Sequence, residues 1–171
     1  MPGLPWSALI AFSAAGLVSG CGAAFDGTVY RGAGYAFRVP ERPASWEPLP
    51  AEGAALAFRE TSGGAIVAVN GRCGKDGEDV PLRSLTRHLF IQFTEQEPSM
   101  EEVVPFDGRE ALHTVMKAKL DGVPKAFDVW VMKKDGCVYD LYLISSPDRF
   151  DGTVPEFRKF VGGFATVPVD G

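Results

Sequence analysis

Three cysteines and two histidines are the residues of this 171-residue chain best suited to nucleophilic, redox or metal chemistry. Their spacing limits what they can do. Cys21, Cys73 and Cys137 form no Cys-x-x-Cys pair, and no cysteine and histidine fall at metal-ligand spacing, so zinc binding and thiol redox catalysis lose their sequence support. His88 sits beside the Leu85 and Leu89 stripe of an expected helix and reads as a boundary or surface residue. His113 shares a strand face with Ala111 and Val115, where a hydrogen bond at the edge of the core is favoured over metal ligation. The loop Lys75, Asp76, Gly77, Glu78, Asp79 lacks the ligand number of a calcium loop and reads as a solvated turn leading to a helix cap. Asp148 and Asp151 read as loop and cap residues of the last helix, and Phe157, Phe160 and Phe164 as its core side. Nucleophile-elbow, P-loop, zincin and dinucleotide motifs are all missing from the sequence. No catalytic residue, cofactor or metal site is expected.

Cys21 stands apart because of what precedes it. Residues 1–25 contain no Asp, Glu, Lys or Arg, and residues 4–20 read LPWSALIAFSAAGLVSG, an apolar export segment. A secretory signal normally carries Lys or Arg before its apolar core, and residues 1–5 carry neither, which leaves a misassigned start or an uncleaved membrane helix as the alternatives. Val18, Ser19, Gly20 and Cys21 resemble the lipobox of bacterial lipoproteins, in which a branched residue and two small ones precede a cysteine that becomes the first mature residue. Small side chains admit a peptidase to the extended backbone, and a thiolate has the nucleophilicity to take up a diacylglyceryl group. The competing reading makes Cys21 a buried or disulfide-bonded cysteine.

If Cys21 carries lipid, residues 1–20 are the signal, 21–27 the lipidated cysteine and a short tether, and 28–167 a single domain. Two or more acyl chains give stable anchoring. Gly22 after the cysteine resembles the sorting pattern for the outer membrane, with the domain on its periplasmic side. Cys73 and Cys137 then remain as an even pair suited to one disulfide in an oxidising compartment, with two unpaired thiols as the alternative.

The composition is that of a globular domain, with 46% hydrophobic and 23% charged residues. Seventeen basic residues, scattered among 22 acidic ones for a net charge of -5, give no footprint for nucleic acid. The pairs Asp107-Gly108, Asp121-Gly122 and Asp135-Gly136 are hairpin signals separating four strands at 100–106, 109–120, 124–134 and 137–146, an expected antiparallel meander. Both faces of these strands are apolar, so a layer is required on each side. Two helices can supply the layers. One is VPLRSLTRHLFIQFTE with Asp79 as N-cap, and the other opens on a capping box from Thr153 to Glu156 and stops at Gly162 and Gly163. Further strands are expected at 29–30, 35–39, 56–60 and 65–69, with the Pro-rich loop 40–50 folding Trp46 onto the core.

These features resemble the PsbP and DcrB-like family: GYAFRVP followed by Trp46, the strand AIVAVNGRC, the run DGREALHTVMKAKLDG, the strand VYDLYLISSP and the closing helix PEFRKFVGGF. The resemblance spans residues 30–164 and implies an α+β fold, an antiparallel sheet sandwiched between helices. It departs at the long 40–50 stretch. Members include an extrinsic photosystem subunit, periplasmic lipoproteins, a nuclear transport factor and secretion chaperones, which implies binding without chemistry. The expectation is a lipid-anchored binding or assembly-accessory module with a protein partner. Its rivals are a chaperone-like or ligand-carrying domain that shelters an apolar segment, and an enzyme of unrecognised type.

Overall fold

In a computed structural model, residues 24–50, 52–74 and 79–169 are described. Cys21 and its motif lie outside them, as do residues 75–78 of the acidic loop. The three Asp-Gly pairs set the frame. Asp107, Asp121 and Asp135 have φ of 46°, 49° and 51°, and the glycines that follow have 73°, 79° and 74°. Two consecutive positive φ values make the hairpin turn whose twist matches that of paired strands. The turns join β7 (Thr94–Phe106), β8 (Arg109–Leu120), β9 (Val123–Lys134) and β10 (Cys137–Ser145) into the expected meander.

That meander is only part of the sheet. β4 (Trp46–Pro48), β5 (Leu56–Glu60) and β6 (Ile66–Cys73) extend it to seven strands in the order β4-β5-β6-β10-β9-β8-β7. A second sheet of four strands, β1-β2-β3-β11, is built from β1 (Ala24–Phe25), β2 (Val29–Arg31), β3 (Ala36–Arg38) and β11 (Ala165–Thr166). Ala24 and Phe25 fell in the expected tether, yet they pair with Arg31 and Tyr30, so the folded part starts nearer Cys21.

Each face of the large sheet carries a helix. α1 (Leu82–Leu89) packs Leu85 with Phe90, Met116, Phe127, Val129, Val131 and Val138. On the other face α2 (Phe150–Gly162) buries Phe157, Phe160 and Val161 against Val67, Val69, Leu141 and Leu143, beside Phe37 of the small sheet. Trp46 folds down as expected, 3% exposed and tilted against Phe160 at 5.4 Å between ring centres.

Both helix starts differ from the sequence reading. α1 is preceded by Pro81, not capped by Asp79, which is exposed. The residue before a proline is pushed into extended backbone, so the helix cannot begin upstream of Pro81. α1 also stops at Leu89, because Gln96 Nε2 donates to the carbonyls of Phe90 and Phe93 at 2.8 and 3.0 Å and β7 already begins at Thr94. α2 begins at Phe150, not at the Thr153 capping box; Thr153 Oγ1 donates back to Phe150 O at 3.0 Å, and Pro155 lies inside the helix. Gly162 and Gly163 end it as expected.

Two close approaches demand glycine, both against the Tyr35 ring, at Gly32 and Gly71. The Tyr35 ring lies on the backbone of Gly71 in β6, where an added Cβ would stand 2.4 Å from the ring. Gly71→Ala must displace a ring packed beside Phe37 and Tyr139, and overpacking of this kind costs about 1–3 kcal/mol. Urea unfolding should show a lower midpoint with an unchanged slope.

Candidate binding groove

The charged clusters of the domain are closed on themselves. Asp128, fully buried on β9, accepts from His113 Nε2 at 2.8 Å and Trp130 Nε1 at 2.9 Å through Oδ1, and from Arg158 Nε at 2.8 Å through Oδ2. His113 also stacks on Trp130 with ring centres 4.0 Å apart. Strand pairing explains the cluster: His113 of β8 stands opposite Trp130 of β9, and Asp128 is two residues along on the same face. His113 therefore sits where the alternation placed it and makes the expected hydrogen bond. Asp128, Trp130 and Arg158 were missed by sequence reasoning, although an aspartate inside the apolar run AFDVWVM is a signal that could have found them. The imidazole Nε2 is committed to a carboxylate, and no hydroxyl or thiol is bonded to the ring among the described residues.

A second cluster ties the two sheets together. Asp107 Oδ2 accepts from Lys134 Nζ at 2.9 Å, from Thr166 N–H at 2.9 Å and from Thr166 Oγ1 at 2.7 Å. Partial burial works against its charge, but the Thr166 and Lys134 bonds outweigh it and hold the Asp107 carboxyl below its ordinary value of 3.8. A group depressed in the fold contributes stability above its unfolded pKa and loses it as pH falls through the folded one. Stability should decline below about pH 4. Asp107→Asn should flatten that decline in acid titrations of the unfolding midpoint. Arg72 pairs with the buried Asp140 on the α1 face. Cys73 and Cys137, opposite each other in the β6–β10 register, are joined in a disulfide.

His88 is exposed on α1, as expected of a surface histidine. Asp148 lies in the loop before α2 and Asp151 in its first turn. Sequence reasoning grouped none of these with a pocket, and the structure brings none together. Groups of three or more His, Cys, Asp or Glu able to hold a metal are absent among the described residues.

The main concavity lies elsewhere, between the Pro-rich segment, the start of β5 and the β1–β2 turn. This groove has a volume of about 1540 Å³, above the roughly 300–1,000 Å³ usual for ligand clefts. Phe25, Val39, Leu49, Ala54, Leu56 and Phe58 contribute its apolar lining. Three backbone donors there are used: Val39 N–H donates to Thr28 O at 2.8 Å, Leu49 N–H to Ala57 O at 2.8 Å and Ala55 N–H to Val69 O at 3.0 Å. Pro40, Pro48 and Pro50 bring no N–H to the wall. Arg42 donates to Trp46 O and lies over the Phe58 ring at 5.4 Å, while Glu41 and Glu52 stay exposed at the rim. Two smaller hollows lie elsewhere on the described surface. A polar one of about 620 Å³ at the β7–β8 and β9–β10 turns has both its lysines engaged, Lys133 by Val80 O and Lys134 by Asp107. An apolar one of about 180 Å³ lies between α1 and β9–β10, lined by Phe90, Phe93, Phe127 and Tyr142.

Solved structures share this architecture. LpqN of Mycobacterium tuberculosis, involved in cell envelope biogenesis, superposes with a TM-score of 0.58 at 13% identity, over 77% of this chain and 83% of that one. Cyanobacterial PsbP from Synechocystis superposes with a TM-score of 0.54 at 15% identity, over 89% of this chain and all of that one. The fold is PsbP-like. A Pseudomonas aeruginosa protein of unknown function shares it at a TM-score of 0.51 and 15% identity, over 84% of this chain and 98% of that one. At these identities the PsbP-like likeness concerns the fold alone. No known family profile and no curated protein matches the chain.

Proposed function

We propose that this PsbP-like domain is a lipid-anchored, extracytoplasmic binding or accessory module of the bacterial envelope, performing no chemistry of its own. The observation that carries the reading is the contrast between its charged clusters and its groove. His113, Asp128, Asp107 and Arg72 spend their bonding capacity on holding β-strands, a helix and two sheets together. The large apolar concavity, by contrast, is open and carries no histidine or cysteine in its lining. An apolar floor recognises by burial, which suits binding. LpqN, which shares the fold, is involved in cell envelope biogenesis, and this supports an envelope setting here. The lipobox-like Val18, Ser19, Gly20 and Cys21 support the anchor.

Cell fractionation with intact-mass measurement tests the anchor. Wild-type protein should partition with membranes and carry the added mass of diacylglyceryl and acyl groups on Cys21. Cys21→Ser should lose that mass and move to the soluble fraction in whole or large part. A membrane-bound wild-type protein that carries no added acyl mass on Cys21 would contradict attachment through lipid.

A further inference from the structure

We infer that the groove receives the hydrocarbon chain of a lipid from the adjacent membrane, which rests on the binding-module reading and names its ligand class. The walls choose between a hydrocarbon chain and a polypeptide. Pro40, Pro48 and Pro50 have no N–H, and those of Val39, Leu49 and Ala55 are given to Thr28, Ala57 and Val69. β4, the sheet edge beside the groove, is equally committed, since Trp46 N–H donates to Pro43 O and Trp46 O accepts from Arg42. A peptide laid against these residues would give up hydrogen bonds to water and find no free backbone donor among them. A hydrocarbon chain gives up none and gains the apolar contacts of Phe25, Leu49, Leu56 and Phe58.

Position supports the same occupant. Phe25, 46% exposed in the groove wall, follows Cys21 by four residues, at most roughly 14 Å of extended chain. An anchor at Cys21 therefore keeps the groove against the bilayer that supplies such chains. The rim refines the choice of lipid. Glu41 and Glu52 are exposed there, and the one guanidinium, Arg42, is folded onto the Trp46 carbonyl and the Phe58 ring. A zwitterionic headgroup fits this rim better than an anionic one.

Photolabelling of the full chain in phosphatidylcholine vesicles bearing a diazirine on the acyl chain, with adducts mapped by mass spectrometry, tests the inference. Wild-type protein and Cys21→Ser should both be labelled within residues 39–58. Ala54→Trp, which fills the groove, and Leu49→Glu, which charges its wall, should each lower that labelling about tenfold or more. Val103→Trp, on the exposed face of β7, should leave it unchanged. Phosphatidylglycerol vesicles should label less, with recovery in Glu41→Gln combined with Glu52→Gln.

Adducts confined to residues 1–20, or equal labelling of both groove variants and wild type, would overturn the inference. Labelling of Cys21→Ser but not of the lipidated protein would overturn it too, because the protein's own acyl chain would then be the occupant. A protein that fractionates through Cys21 yet takes no label in the groove keeps the envelope-module reading and loses this ligand.

Discussion

Asp128→Ala is expected to destabilise the domain by about 3–5 kcal/mol, the cost of taking one partner from a buried charged cluster. Asp128 is fully buried, and its two oxygens accept three bonds, from His113, Trp130 and Arg158. The three donors are not equal. His113 is 4% exposed and Trp130 is half-buried, so alanine leaves one desolvated donor, costing about 1–3 kcal/mol, and a second that is partly so. The Arg158 side chain is 46% exposed and can turn to water, so its loss belongs with the weak surface pairs at about 0–1 kcal/mol. Asp128→Asn keeps the Oδ1 acceptor for both rings but turns an amide donor toward Arg158, which places it between Asp128→Ala and the loss of Arg158 alone. Urea unfolding should rank the variants Asp128→Ala, Asp128→Asn, Arg158→Ala in order of falling cost. Equal costs for the first and last would mean that the ion pair, not the two ring donors, holds the cluster.

Loss of the disulfide between Cys73 and Cys137 is the second large effect. The bond closes a loop of 64 residues, and the chain-entropy relation gives about 4 kcal/mol for a loop of that length. It joins directly opposed residues of β6 and β10, two interior strands, each paired on its other side with β5 or β9. The strands should therefore stay paired when the bond is cut, and the penalty should be one of stability with the fold retained. Denaturant midpoints for oxidised protein, reduced protein and the double variant Cys73→Ser, Cys137→Ser should show the last two close together and well below the first. A reduced protein within about 1 kcal/mol of the oxidised one would show that the unfolded chain is already compact around this pair.

The turns were legible in the sequence because Asp-Gly is among the few pairs that tolerate two positive φ values in a row, and the three pairs set between strand candidates became hairpins, while Asp151-Gly152 lies inside α2. Strand faces were legible for the same kind of reason: Ala111, His113 and Val115 cannot share a side with Leu112 and Thr114. Trp46 could be read as core from its bulk amid prolines, and Cys73 and Cys137 as a pair once Cys21 was set aside. Helix starts were not legible, because a side-chain cap competes with backbone restrictions set by its neighbours; Pro81 overrode Asp79, and α2 started three residues before Thr153. The second sheet escaped notice since β1 and β11 hold two residues each and take their order from β3 and Phe164 packing, not from any local pattern. The groove was illegible for a deeper reason. Its walls come from residues 25–28, 39–50 and 52–58, which no local pattern brings together.

Site-specific photocrosslinking in the native envelope tests the central claim most directly, that this domain binds through its groove at a membrane. A benzophenone side chain at position 44, on the exposed edge of the groove lining, should give a discrete lipid adduct, while the same group at position 103, on β7, should give none. Adducts of equal yield and identity from both positions, or none from position 44 in a protein that remains folded and membrane-bound, would contradict it.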